Sequence, residues 1–203
     1  QMCIRDSIGT QMIVKGHDFS RVTLVGVLLA DLTLFSGDYR AGERTFDLLT
    51  QAAGRAGRGD VPGKVVIQTY KPDNYAITAA ASQDYRAFYD IEEAYRSLMR
   101  YPPEWNMMVI MGTGMDEEQL ANIMDRMYSL IRGKYINAGH LSVIGPSEPA
   151  ISKIKDVYRR VLYIKHRDYR MLVDVKNYVE EWLKENGESD VSVFFDMNPV
   201  NMY

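Results

Sequence analysis

The stretch VTLVGVLLA, Val22 to Ala30, decides the fold of the first part of the chain. It is a continuous apolar run, rich in β-branched residues, that ends at Asp31. Such a run is typical of a strand buried on both faces, as in a parallel sheet. KVVIQTY, Lys64 to Tyr70, predicts a second buried strand, and Glu43 to Ala53 between them has the apolar spacing of a helix. Strand, helix and strand in this order predict a right-handed parallel crossover and an α/β fold.

The chain changes character near Pro72. Residues 74–100 have a helical pattern that YPPEW, Tyr101 to Trp105, ends, because proline disfavours helix before it and lacks an N–H donor. Beyond it the patterns predict a strand at Met107–Met111, a helix at Asp116–Gly133, a hairpin of Ser152–Asp156 and Arg159–His166, a helix at Asp168–Glu185 and a strand at Val191–Asp196. This is the pattern of a small α+β domain.

These patterns divide the chain into four parts. Residues 1–7 have no structural pattern, and we interpret them as an artefact or scar. Residues 8–72 form the α/β region and residues 73–104 a helical connector. Residues 105–203 form the α+β domain.

Composition excludes several classes of protein. The 203 residues carry a formal net charge of −3, so any contact with nucleic acid depends on a local basic patch. The single cysteine, Cys3, excludes a disulfide framework and a cysteine-based zinc site, and we expect no bound metal from this chain. No apolar run is long enough to cross a membrane and the opening lacks the core of a signal peptide. We expect a soluble, cytoplasmic protein without a membrane partner.

LLTQAAGRAGRG, Leu48 to Gly59, places Arg55 and Arg58 among alanines and glycines at a helix end. A guanidinium is a forked donor that stays charged, and nucleotide hydrolases direct such a group at the transferring phosphoryl group. Gly54 and Gly57 would let backbone and guanidinium approach a ligand closely. The alternative is a solvated helix end, where the helix dipole favours cations.

GTQMIVKGHDF, Gly9 to Phe19, lies upstream of the first predicted strand and has the spacing G-T-x-x-x-x-K-G-x-D. Together with Q-x-x-G-R-x-G-R it resembles motifs V and VI of the superfamily 2 helicases, in the second of their two RecA-like lobes. The intervening ADLTLFSGDYRAGERTFDLLTQAAGRAGRG, the YPP and the terminal DMNPVNMY are similar to the C-terminal portion of the primosomal replication-restart helicase family. The resemblance implies a partial RecA-like lobe followed by a C-terminal DNA-binding domain.

The resemblance also implies roles for single residues. In motif VI, Arg55 and Arg58 would reach the γ-phosphate of ATP, with either one as the arginine finger, and Gln51 and Gly54 would line the same site. In motif V, Gly9 and Thr10 would contact the nucleic-acid backbone. Asp18 would lie near the nucleotide. Lys15 would serve a phosphate of either ligand or remain an ordinary solvated lysine.

Three features of the family are missing from the sequence: a G-x-x-x-x-G-K-[ST] loop, a magnesium-binding acidic motif and a cysteine-rich zinc module. All lie upstream in the family, so we interpret the chain as a C-terminal fragment. ATP with Mg²⁺ would be bound mainly by the upstream lobe, and zinc only by the upstream module. The resemblance implies an ATP-dependent 3′→5′ DNA helicase that assembles the primosome at stalled forks, and the fragment alone is expected to be inactive.

ISKIKDVYRRVLYIKHRDYR, Ile151 to Arg170, alternates basic and aromatic residues along the predicted hairpin. Cations can bind phosphates and rings can stack on exposed bases, so we predict DNA binding through Lys153, Lys155, Arg159 and Lys165. The alternative is a hairpin with one solvated charged face. Expected partners are branched or single-stranded DNA at forks and other primosome and single-strand-binding proteins. Competing functions are a fork-remodelling translocase of the RecG type and a non-catalytic DNA- or protein-binding module.

Overall fold

The computed structural model describes residues 6–10, 22–57, 62–135, 137 and 139–203. The chain divides into two compact units, 1–94 and 95–203, which are described separately. In the described ranges, no helix combines the length and the apolar character that crossing a membrane requires.

The first unit contains the predicted crossover. Its elements are β1 (Leu24–Val27), a 3-10 turn (Ala30–Leu32), α1 (Ala41–Ala53), β2 (Lys64–Ile67), α2 (Tyr75–Ser82) and most of α3 (Tyr85–Leu98). β1 and β2 pair in parallel, with Leu24 opposite Lys64, so the predicted strand–helix–strand unit is confirmed. Each strand has only four residues, so the predicted strands extend beyond the segments that pair.

The two parallel strands bury one face only. Val27 and Ile67 pack against a cluster that includes Phe46 and Leu49 of α1. On the other face Leu24 is 61% exposed and Val66 is also exposed, and no described element covers them. The prediction that both faces are buried is therefore wrong for the described residues. A continuous apolar run carries no period that could show which face the helices cover.

The predicted helix at residues 74–100 is two helices. Asn74 caps α2 by accepting a hydrogen bond from the N–H of Ala76 at 2.9 Å. Gln83 has a φ of 54°, which ends α2 and turns the chain into α3. This turn lets Phe88 of α3 stack on Phe46 of α1 with ring centroids 4.3 Å apart.

Asp31 joins the carboxyl ends of the parallel strands. Asp31 is 3% exposed, and its carboxylate accepts hydrogen bonds from the hydroxyl of Thr69 at 2.7 Å and from the N–H of Tyr70 at 2.9 Å. These bonds, that of Thr69 foremost, lower the pKa of Asp31 because they favour the charged carboxylate. A buried, ionised carboxylate therefore fixes the segment after β2 to the segment after β1.

The second unit is an antiparallel sheet with two helices. Its elements are β3 (Asn106–Gly114), α4 (Glu117–Tyr135), β4 (Ser142–Ser147), β5 (Lys153–Ile154), β6 (Val157–His166), α5 (Tyr169–Asn186) and β7 (Val191–Met197). The strand order is β4-β6-β3-β7, and β5 pairs with β6. This is the ferredoxin-like split β-α-β arrangement. The predicted strands, helices and hairpin are confirmed, and β4 is an additional strand at the sheet edge.

The main core of this unit lies between the helices and one face of the sheet. Met108 and Ile110 of β3 stand opposite Ile164 and Leu162 of β6, and all four are buried against apolar residues of α4 and α5. Asp168 caps α5 by accepting from the N–H of Arg170 at 2.9 Å.

The face of the sheet away from α4 and α5 is covered in part by coil. Lys165 is 5% exposed, and its Nζ donates to the carbonyl of Met99 at 3.2 Å and lies 3.6 Å from the ring centroid of Tyr101. Burial, and secondarily the charge of Arg100, lowers the pKa of Lys165 to about 8. At the other side of this face the hydroxyl of Tyr163 donates to the carbonyl of Tyr203 at 3.1 Å.

Gly112 and Gly114 on β3 offer a matched test of core packing. A Cβ at Gly112 would lie 2.6 Å from Sδ of Met124 and 2.8 Å from Cδ1 of Leu120, whereas at Gly114 the nearest atom is 3.4 Å away. We predict that Gly112→Ala lowers the free energy of unfolding by about 1 kcal/mol or more through overpacking, and that Gly114→Ala stays within about 0.5 kcal/mol. Urea denaturation followed by tryptophan fluorescence reports on this unit alone, since both tryptophans lie in it. Equal midpoints for the two variants would contradict the prediction.

Lys165 predicts a dependence of stability on pH. Its pKa is lower in the folded chain than the ordinary 10.5, so between about pH 8 and that value the unfolded chain binds more protons and stability rises with pH. We expect the wild type to gain stability relative to Lys165→Met between about pH 7.5 and about pH 9.5 in the same denaturation assay. Lys155→Met, at an exposed lysine, is the control: it retains Lys165, so its stability should change with pH in parallel with that of the wild type. Parallel pH profiles for wild type and Lys165→Met would exclude this account of the buried amine.

Candidate functional site

The turn that follows α1 holds the described part of the G-R-x-G-R segment. The N–H of Arg55 donates to the carbonyl of Ala52 at 3.1 Å, and the N–H of Gly57 donates to the carbonyl of Val22 at 2.9 Å. The second bond joins the turn to the residue two positions before β1. The segment is thereby fixed at the amino ends of the two parallel strands.

The fold requires glycine at only one of the two glycine positions of this turn. Gly57 has a φ of 74°, and a Cβ there would lie 2.8 Å from the backbone nitrogen of Gly63. Glycine is therefore required at Gly57 by the backbone itself. Gly54 has ordinary helical angles, and a Cβ there would make ordinary contacts with the carbonyl oxygens of Thr50 at 3.4 Å and Gln51 at 3.6 Å. Its small size is not demanded by the fold, so a ligand-contacting role for Gly54 stays a prediction.

Three of the predicted nucleotide-site residues are brought together on this turn. Gln51 and Gly54 are exposed, and Arg55 is partly buried beside them. Arg58 and Asp18 lie outside the described residues, as does Lys15. Gly9 and Thr10 are exposed in coil. The roles predicted for all of them stay predictions.

The predicted cations of the C-terminal hairpin do not share one surface. Because strand side chains alternate, Arg159 and Lys165 project from the face of β6 away from the helices, whereas Arg160 projects toward them and lies 3.9 Å from Glu117. Lys153 stands opposite Tyr158, on the same side as Arg160. A uniformly basic strand face is therefore absent from the described hairpin.

Each hairpin cation has its own surroundings. The guanidinium of Arg159 is partly buried and donates to the carbonyl of Ile151 at 3.1 Å. Lys153 pairs with Asp156 at 3.1 Å, and this bond raises its pKa. Lys155 is exposed in the turn between the strands, where it and Asp156 both have positive φ, as in a type I′ turn. Lys165 is buried, so of the four it is the least accessible to a phosphate.

Sequence reasoning missed two polar features. Asp31 was noted only as the end of an apolar run, although an acid directly after a buried strand is a recognisable signal for a fixed polar group at a sheet edge. Arg100 and Arg167 both lie over the ring of buried Trp105, at 5.0 Å and 5.4 Å from its centroid. Nothing in their sequence spacing indicates this pairing. In the described ranges, no group of three or more potential ligands is placed to hold a metal ion.

Comparison with known proteins identifies the family. The model of the primosomal protein N C-terminal domain matches residues 97–200. The chain is 40% identical to the replication restart protein PriA of Bacillus subtilis over 197 residues, 96% of this chain and 24% of that protein. It is 33% identical to PriA of Synechocystis and 34% identical to PriA of Haemophilus influenzae, each over 96% of this chain and 23% and 26% of those proteins.

The chain thus spans about a quarter of the length of these relatives. The matched domain covers half of the chain and coincides with the second unit, whose fold is described above. The family inferred from the sequence is confirmed: this chain belongs to the PriA family of replication restart proteins, and its residues 97–200 form the primosomal protein N C-terminal domain.

Proposed function

We propose that the chain serves replication restart as part of an ATP-dependent 3′→5′ DNA helicase. Residues 8–72 belong, in this proposal, to a second RecA-like lobe, and the second unit binds fork DNA. The observation that carries it is the Q-x-x-G-R-x-G-R segment, which ends the helix of a parallel crossover in a chain whose relatives are named replication restart proteins. That name favours this function over a RecG-type translocase.

The proposed chemistry uses the arginines of the turn. Arg55 or Arg58 binds the γ-phosphate of ATP and stabilises the charge that develops as the phosphoryl group is transferred. Gln51 and Gly54 line the same site, and Asp18 lies near the nucleotide. The residues that hold Mg²⁺ and most of the ATP belong to a facing lobe, so the 203 residues supply one wall of the site. Zinc, in the same proposal, belongs to a separate module.

The proposed DNA contacts are distributed over both units. Gly9, Thr10 and Lys15 bind the phosphate backbone in the motor, where a hydroxyl, an N–H and an amine are suitable donors. In the second unit, Lys153 and Lys155 of the hairpin are exposed cations, and the partly buried Arg159 supplies further charge. Other primosome proteins and single-strand-binding proteins are the proposed protein partners.

The arginines can be tested in a chimera. The matching quarter of the Bacillus subtilis protein is replaced by this chain, and DNA-stimulated ATP hydrolysis is measured. We predict that Arg55→Ala or Arg58→Ala, whichever is the finger, lowers turnover by roughly 10³-fold. Nucleotide binding should change less, because a finger acts mainly on the transition state.

Arg86→Ala is the matched control, since this exposed arginine on α3 pairs with Asp90 of its own helix. It should retain full turnover, and the isolated 203-residue chain should hydrolyse no ATP above a protein-free blank. Near-normal turnover in both single variants would contradict a catalytic role for the arginines and would favour the alternative of a solvated helix end.

The hairpin can be tested on the chain itself. We predict that the 203-residue chain binds fork or single-stranded DNA with an affinity that falls steeply with salt, because phosphates neutralised by its cations release counterions. Replacing both Lys155 and Arg159 with glutamate should weaken binding by about tenfold or more and flatten the salt dependence. Fluorescence anisotropy with a labelled fork, titrated at several salt concentrations, measures both.

The control replaces Arg132 and Lys184, which lie on α4 and α5, with glutamate and so changes the net charge equally. It should bind like the wild type. Equal loss in the two double variants would show a response to net charge alone, and the hairpin would then be a solvated face.

A further inference from the structure

Three exposed side chains follow the carboxyl ends of β1 and β2 in the first unit. Phe35 is 63% exposed and Tyr70 is 79% exposed. The amine of Lys71 lies 5.0 Å from the ring centroid of Phe35. We call Phe35, Tyr70 and Lys71 the edge platform.

Asp31 fixes the backbone of both sides of the platform. The N–H of Phe35 donates to the carbonyl of Asp31 at 3.2 Å, and the N–H of Tyr70 donates to its carboxylate at 2.9 Å. The hydroxyl of Thr69 donates to the other carboxylate oxygen and in turn accepts from the N–H of Lys71 at 2.9 Å. The exposed side chains therefore extend from a backbone that one buried carboxylate organises.

The platform differs in composition from the exposed apolar face of β1 and β2. Leu24 and Val66 on that face are aliphatic, as expected of a surface suited to further apolar packing. The platform instead combines two rings and an amine, and within the described parts of the chain the amine of Lys71 has no carboxylate at ion-pair distance. Rings that stack on bases, beside a cation for the backbone, are the recurring composition of single-strand nucleic-acid sites.

We propose that the edge platform binds single-stranded nucleic acid, with Phe35 and Tyr70 stacking on exposed bases and Lys71 contacting a phosphate. The proposal rests on the proposed function, since it supplies a contact for the strand on which that motor acts. It assigns the site to side chains that lie at the opposite end of the crossover from the G-R-x-G-R turn and outside the hairpin.

The test separates stacking from apolar packing. Phe35→Leu keeps an apolar side chain but removes the ring, whereas Phe35→Trp keeps a ring. With the 203-residue chain and labelled oligo(dT), Phe35→Leu should weaken binding by about tenfold, Tyr70→Leu should also weaken it, and Phe35→Trp should bind like the wild type. Binding of Phe35→Trp should in addition quench fluorescence beyond the wild-type change, because the new indole stacks on a base.

Two controls identify what is recognised. Tyr85→Leu changes a ring of the same exposed fraction in the same unit, and it should bind like the wild type. An abasic oligonucleotide offers phosphates without bases, so Phe35→Leu should leave its binding unchanged, whereas Lys71→Gln should weaken binding of both oligonucleotides. Thermal melting of each variant shows whether it is folded as the wild type is.

Equal oligo(dT) affinity of the wild type and Phe35→Leu would overturn the proposal. So would an equal loss of affinity in Tyr85→Leu, or no binding by the wild type. Binding that is retained in Phe35→Leu but lost in Phe35→Trp would also overturn it. These outcomes are distinct from failure of the proposed function, which the ATPase of the chimera reports. Suppose that DNA stimulates the ATPase of the chimera and that Phe35→Leu does not raise the DNA concentration needed for half-maximal stimulation. That result would exclude the edge platform as a binding site and leave the proposed function standing.

Discussion

Among the described residues, helices cover one face of the sheet in each unit, and the two units differ in what lies on the other face. In the first unit the uncovered face of β1 and β2 keeps Leu24 and Val66 exposed. In the second unit, coil from residues 99–105 and the last residues of the chain lie over the corresponding face. Burial of Lys165 follows from this cover, because its amine is enclosed between the sheet and Tyr101. The cover thus makes Lys165, which the sequence pattern predicted to bind DNA, largely inaccessible to a ligand.

Much of the architecture follows from local patterns. The β1–α1–β2 crossover, the two helices of the second unit and the hairpin were predictable, because apolar period, caps such as Asp168 and turn residues agree there. The break at Gln83 was not predicted, because glutamine has no special preference for the left-handed conformation that it adopts there. β4 was missed because its sequence SVIGPS contains glycine and proline, which are depleted in strands except at edges.

The candidate sites were predictable to a smaller extent. The sequence motif found the turn that carries Arg55, but it attributed both glycines to a ligand, whereas Gly57 is required by its φ and by Gly63. Alternation of side chains along β6 allows only some hairpin cations to share a face, yet it does not indicate that the face of Lys165 is covered. Cover depends on segments distant in sequence, which a strand pattern does not contain. For the same reason the donors to Asp31, at residues 69 and 70, could not be identified from the local sequence, although the position of the acid after a strand indicated a fixed polar group.

Different hydrogen bonds fix the two ends of the crossover, and both ends matter for the proposed motor. At the amino ends of the strands, the turn after α1 is bonded to Val22 before β1. At the carboxyl ends, Asp31 bonds the segment after β1 to the segment after β2. Between these ends, β1 itself (Leu24–Val27) spans roughly 10 Å at about 3.3 Å per residue. Each end is therefore fixed to the same pair of strands, and a displacement of the arginine turn cannot leave those strands, or the rings at their other end, unaffected unless these bonds break. Rigid, contiguous elements of this kind can carry coupling between distant sites, so the parallel pair provides a physical connection between the proposed nucleotide wall and the proposed single-strand contact.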